Sequence, residues 1–147
     1  EETQEMKLSE SKLLVRDVMS QQVATLERND QLSIADDVMR LGRIRHMPVL
    51  DADGLLAGVL SQRDLLHGAL SATLGFGMVG RQKVMNTILV KEVMNADPKT
   101  INPNTPLSEA ARIMRDNKIG CLPVLEGERL IGILTEGDFV AMQVDDE

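Results

Sequence analysis

The feature that most constrains this chain is that the greater part of it occurs twice. From Ile44 it reads I-R-H-M-P-V-L-D, then D-G, then L-L-A-G-V-L-S-Q-R-D; from Ile119 it reads I-G-C-L-P-V-L-E, then G-E-R-L-I-G-I-L-T-E-G-D. The match extends upstream at a constant offset of 75, with 14 identities in the 36 positions from Val15 to Leu50. Val15-Arg16-Asp17-Val18-Met19 answers to Val90-Lys91-Glu92-Val93-Met94, Thr25 to Thr100, and Leu32-Ser33 to Leu107-Ser108. One residue is then lost in the turn, so Gly58 pairs with Gly132 and Asp64 with Asp138. A repeat of this length makes each copy one structural unit, whose uncovered apolar face is buried by its twin.

Each copy reads as β-α-β-β-α, which makes the chain an α/β (α+β) protein. Residues 13–19 form a helical lead-in and 23–26 a brief strand. Leu32, Ala35, Val38, Met39 and Gly42 keep the helical period, with Asp30 or Ser33 as cap and Gly42 as stop. Residues 47–50 and 55–60 form a hairpin around Asp53-Gly54. Ser61 opens a second helix bearing Leu65, Leu66 and Leu70. In the second copy, residues 90–94 lead in and Thr100-Ile101 is the short strand. Thr105 is the expected cap, with Pro106 at the first helical position and Leu107, Ala110, Ala111 and Met114 as the core stripe. Strands at 122–125 and 130–134 precede a last helix starting at Thr135.

The resulting division is an acidic tail (1–12), repeat one (13–70), a connection (71–89), repeat two (90–142) and a second acidic tail (143–147). The connection is unmatched between repeats and reads as a Gly-rich break followed by an amphipathic helix carrying Met78, Val84, Met85, Ile88 and Leu89. Its Gly75, Gly77 and Gly80 match G-x-G-x-x-G, but a dinucleotide fingerprint requires a strand directly before the first glycine. Here a helix precedes it.

Composition removes several functions. The net charge of −7 lies mostly in the tails, and residues 13–144 carry 16 acids against 14 bases. Such a body has no basic footprint for nucleic acid, and two Phe with no Trp or Tyr give no stacking platform. One cysteine, Cys121, and two histidines, His46 and His67, are too few for a zinc cluster or an internal disulfide. No apolar run approaches a membrane span, and the acidic start lacks a signal-peptide core. These features point to a cytoplasmic protein. The first residue is Glu rather than Met, as expected of a trimmed chain or a piece of a larger one. No activated nucleophile or acid–base pair is visible, so no enzyme activity, metal or cofactor is expected.

Ser61-x-x-Asp64 and Thr135-x-x-Asp138 are the chemically informative pair. At a helix start, a hydroxyl and an acid three residues apart form a capping box, which by itself accounts for both residues. The marks V-x-x-V-M, h-P-V and G-h-h-[ST]-x-x-D, each present twice and in order, resemble the CBS domain pair, or Bateman module, from Leu14 to Val140. That resemblance implies two repeats packed with pseudo-twofold symmetry, acting as a regulatory module that binds AMP, ADP, ATP or S-adenosylmethionine. It further implies that each Asp chelates the ribose hydroxyls while the Ser or Thr sits near phosphate.

By the same resemblance, each pocket is built across the repeats. Pocket one takes Ser61 and Asp64 with Lys99, Thr100, Ile119, Gly120 and Cys121. Pocket two takes Thr135 and Asp138 with Ala24, Thr25, Ile44, Arg45 and His46, adenine lying between aliphatic side chains such as Ile44 or Ile119. Arg45-His46 occupies positions where some members carry phosphate ligands, whereas Gly120-Cys121 is neutral. A homodimer is expected, covering helical faces such as Leu65, Leu66, Leu70 and Met85. The alternative is a dimerisation or interaction scaffold with vestigial pockets.

Overall fold

The computed structural model describes residues 12–72 and 83–145 of the chain. These form two compact units that cut across the sequence repeats. One unit is Ala24–Pro98; the other joins residues 12–23 to 99–145. Each therefore takes the strand–helix–hairpin–helix portion of one repeat and the lead-in of the other.

In the first unit, β1 (Leu26–Glu27) lies parallel to β2 (His46–Leu50), which pairs antiparallel with β3 (Leu56–Ser61). Helix α2 (Leu32–Gly42) and helix α3 (Gln62–Ala72) cover this sheet, α1 (Val15–Val18) being the lead-in assigned to the other unit. Asp51 sets the hairpin: its Oδ1 accepts from the amides of Asp53 and Leu55, and Gly54 turns the chain at φ 80°. Leu26, Leu32, Met39, Met47, Val49, Leu60 and Leu65 form the buried core. The lead-in of repeat two, a 3₁₀ turn at Val90–Glu92, enters that core through Val90. It is tied there by Val90 N–H to Asp30 O (2.8 Å) and by mutual bonds between Asn95 and Val59.

The second unit repeats this plan. Helix α4 (Leu107–Asn117), the hairpin of β4 (Cys121–Glu126) and β5 (Arg129–Thr135), and α5 (Glu136–Asp145) surround Leu107, Met114, Leu122, Val124 and Leu134. Here α1 is the inserted lead-in: Val15 is fully buried, its N–H bonding Thr105 O, while Ser20 and Ile133 exchange backbone bonds at 2.9 and 3.0 Å. In both lead-ins an acid reaches back to the preceding amide, Asp17 to Leu14 (2.9 Å) and Glu92 to Leu89 (2.7 Å).

Several local expectations are corrected. The N-cap of α2 is Gln31, because the Asp30 carboxylate is taken by the Glu27 amide at 2.8 Å and Ser33 is buried inside the helix. Gly42 remains helical, and the left-handed stop falls on Arg43 at φ 54°, as it does on Lys118 after α4. Pro106 is the N-cap of α4 rather than its first residue, and Thr105 makes no side-chain cap; its carbonyl is used by Val15 instead. Repeat one's strand shifts to Leu26–Glu27, and Thr100-Ile101 reduces to a single bridge from Ile101 to Val124. Leu65 and Met85 are core residues, leaving Leu66 and Leu70 as the exposed members of that set at 39% and 58%. The G-x-G-x-x-G segment lies outside the described residues, and α3 does precede it as helix.

Candidate functional site

Both Ser/Thr-x-x-Asp segments sit where a buried strand turns into a helix. In the first unit, β3 ends at Ser61 and α3 begins at Gln62. His46 is paired with Ser61 across the hairpin, and the Gln62 amide donates to Arg45 O at 2.8 Å. Because β1 runs parallel to β2, with Leu26 beside Val49, Ala24 and Thr25 lead in from the same end. That end of the sheet thus gathers Ala24, Thr25, Ile44, Arg45, His46, Ser61 and Asp64. Arg45 is exposed, Ile44 and His46 half-buried.

The second unit gathers its counterparts in the same way. Cys121 is paired with Thr135, the Glu136 amide donates to Gly120 O at 3.2 Å, and Ile101 lies parallel to Val124. Lys99, Thr100, Ile119, Gly120, Cys121, Thr135 and Asp138 therefore belong to one sheet end. Of the fourteen residues expected to contact ligand, seven fall in each unit. Ser61 and Asp64 share a unit with the Arg45 segment; Thr135 and Asp138 share one with the Cys121 segment.

The two carboxylates are held differently. At α3 the Ser61 hydroxyl accepts from the Asp64 amide at 3.0 Å, half of a capping box, and the Asp64 carboxylate has no hydrogen-bond partner among the described residues. At α5 the other half forms: Asp138 Oδ2 accepts from the Thr135 amide at 2.9 Å, with the Thr135 hydroxyl at 3.4 Å. Asp138 Oδ1 accepts from the Ser20 hydroxyl at 3.0 Å, a contact spanning 118 positions of sequence. Ser20 is not among the site residues expected from sequence. The signal that could have found it is its place directly after V-x-x-V-M, where repeat two has Asn95.

Cys121 is buried, and its thiol is pushed up to about 12, first by burial and then by the negative charge of Asp138. It is a neutral core group beside the site. A cleft of about 470 Å³ in the first unit is lined by Arg40, Arg43, Ile44, Arg45, Gln62 and Leu66, among others. One of about 370 Å³ in the second touches Thr100. Neither is lined by Asp64 or Asp138. The carboxylates, held at strand-to-helix junctions with both oxygens able to accept, are suited to a vicinal diol. No group of three or more His, Cys, Asp or Glu suited to a metal ion occurs among the described residues. Nor is any helix among them long and apolar enough to cross a membrane.

The duplicated junction, with its glycine-bearing strand and exchanged lead-in, can be set against known proteins. The CBS domain family model matches residues 15–71 and 90–145. The chain belongs to the CBS domain family. A CBS domain-containing protein of Dictyostelium discoideum is 33% identical over 134 residues, covering 90% of this chain and 92% of its own. Among solved structures, CBSX2 in complex with AMP superposes with a TM-score of 0.74 at 26% identity, covering 90% of this chain and 97% of that one. The CBS domain pair of protein MJ0100, in complex with 5-methylthioadenosine and S-adenosyl-L-methionine, gives 0.76 at 22% identity, covering 93% and 100%. At that identity it shows the fold alone. The chain is thus a tandem CBS pair, as its repeats and h-P-V strands suggest.

Proposed function

We propose that this CBS pair is a regulatory module that binds an adenosine-containing ligand and performs no chemistry of its own. The observation that carries the reading is the duplicated Ser/Thr-x-x-Asp at a strand-to-helix junction, its acid in the first turn of the helix that follows the β-hairpin. An ionised carboxylate accepts two hydrogen bonds at once, which matches the 2′- and 3′-hydroxyls of a ribose. Ile44 and Ile119 offer aliphatic surface for a purine, and Arg45 offers a cationic donor for phosphate with the His46 imidazole beside it. AMP in the related CBSX2 complex supports the adenosine class. Binding would be read by a partner or an attached domain as a change in packing.

A thermal-shift panel with AMP, ADP, ATP, S-adenosylmethionine and GMP tests the proposal. A ligand at 100 times its dissociation constant adds about 2.7 kcal/mol to stability. The reading expects a rise in Tm with at least one adenosine compound and a smaller one with GMP. No shift with any of them would leave a scaffold with vestigial pockets as the better account.

A further inference from the structure

We infer that Ser20 is a positioning residue for the ligand site at Asp138, and that the two carboxylates of the pair are consequently unequal. The inference rests on the adenosine reading and adds a residue and a ranking to it. Asp138 is held at both oxygens, by the Ser20 hydroxyl on Oδ1 and by the Thr135 amide on Oδ2, with the Thr135 hydroxyl at a longer 3.4 Å from Oδ2. A carboxylate offers about four lone-pair directions, so Oδ1 keeps one free for a diol hydroxyl, and the long Thr135 hydroxyl contact on Oδ2 yields its place to the second. Held at both ends, the group cannot rotate about its Cβ–Cγ bond without losing a bond. The ligand meets an acceptor pair already oriented.

Asp64 lacks this arrangement. The residue corresponding to Ser20 is Asn95, and the backbone places the two alike. Ser20 exchanges bonds with Ile133, five residues before Asp138, and Asn95 with Val59, five before Asp64. The Asn95 side chain, however, turns to its own loop, where its Oδ1 accepts from the Asp97 amide at 3.1 Å. Asp64 must therefore be ordered by the ligand, and ordering a side chain on binding lowers affinity. The Asp138 site is the tighter for the ribose, and Ser20 makes it so.

The test is calorimetric titration of adenosine and of 2′,3′-dideoxyadenosine into the full chain carrying Asp64→Ala, so that the Asp138 site is read alone. Adding Ser20→Ala should weaken adenosine about threefold to tenfold and leave dideoxyadenosine unchanged, with Ser20→Thr restoring the loss. In the reciprocal background, Asp138→Ala, adding Asn95→Ser should tighten adenosine at the Asp64 site. Equal weakening of both ligands by Ser20→Ala, or no weakening of adenosine, overturns the role of Ser20 while leaving the adenosine reading intact. Full adenosine binding in the Asp64→Ala, Asp138→Ala double variant overturns both.

Discussion

Met19 lies across Gly132: a Cβ built on that glycine would fall 2.7 Å from the Met19 sulfur and 2.9 Å from the Ser20 carbonyl oxygen. The relation is duplicated at Gly58, where a Cβ would meet the Asn95 carbonyl oxygen at 2.5 Å and the Met94 sulfur at 2.8 Å. The glycine of each G-h-h-[ST]-x-x-D strand is thus the seat for the lead-in of the other repeat, and two of the family marks are one contact. A side chain there must displace backbone, and overpacking of this kind costs about 1–3 kcal/mol. Gly58→Ala should destabilise more than Gly132→Ala, because its nearest obstacle is a carbonyl rather than a pliable thioether. Urea denaturation of the two variants checks the order; equal midpoints to wild type would contradict the seat.

Neighbouring leucines on α3 provide a second check on the fold. Leu65 is buried in the first unit's core, whereas Leu66 is partly exposed beside the Arg-lined cleft. Leu65→Ala should cost about 2–5 kcal/mol. Leu66→Ala should fall within about 0.5 kcal/mol if the chain is monomeric, and cost more if a dimer covers it. Denaturation at two protein concentrations, with light scattering against the 16.2 kDa chain mass, reads both effects.

The fold class is legible in the repeat, because the spacing of Pro48 and Pro123, Gly58 and Gly132, and Asp64 and Asp138 is a pattern of the chain itself. The exchange of lead-ins is not legible there. Val15-x-x-Val18-Met19 carries no local mark of which core it enters, since Val15 and Val90 are identical and either hydrophobic seat would accept them. Caps are misread for a related reason. Asp30 and Thr105 are good capping residues by type, but bonds to Glu27, Val15 and Val90 claim their carboxylate or carbonyl groups. Ser20 escapes a reading of the sequence because its partner is 118 residues away and the motif that contains Asp138 explains that acid without it.

The buried thiol predicts a pH dependence. The folded state holds Cys121 protonated up to about pH 12, while an exposed thiol titrates near 9.0. The unfolded chain therefore releases a proton that the folded chain keeps between these values. Stability from this group is fully present below pH 9 and falls as pH rises towards 12. Cys121→Ala should flatten that alkaline slope relative to wild type, as measured by denaturant titrations from about pH 8 to 11. Native Cys121 should also react slowly with iodoacetamide at about pH 8, because the thiolate is the nucleophile.

Arg45 separates phosphate recognition from nucleoside recognition. Its guanidinium presents a planar fork of donors suited to phosphate oxygens. Arg45→Ala should weaken AMP by about tenfold, in line with the loss of about 1.5 kcal/mol expected for a charged hydrogen bond, and leave adenosine nearly unchanged. Parallel titrations with the two ligands decide it, and equal loss for both would mean that Arg45 serves the fold or the purine rather than phosphate.

The most direct test of the account is calorimetric titration of the tightest adenosine ligand into wild type, Asp64→Ala and Asp138→Ala. Each variant should lose one binding event and retain the other, the lost site weakening by about 1.5–3 kcal/mol, or about tenfold to more than a hundredfold. Unchanged affinity and stoichiometry in both variants would contradict it, and would reduce the two carboxylates to helix caps.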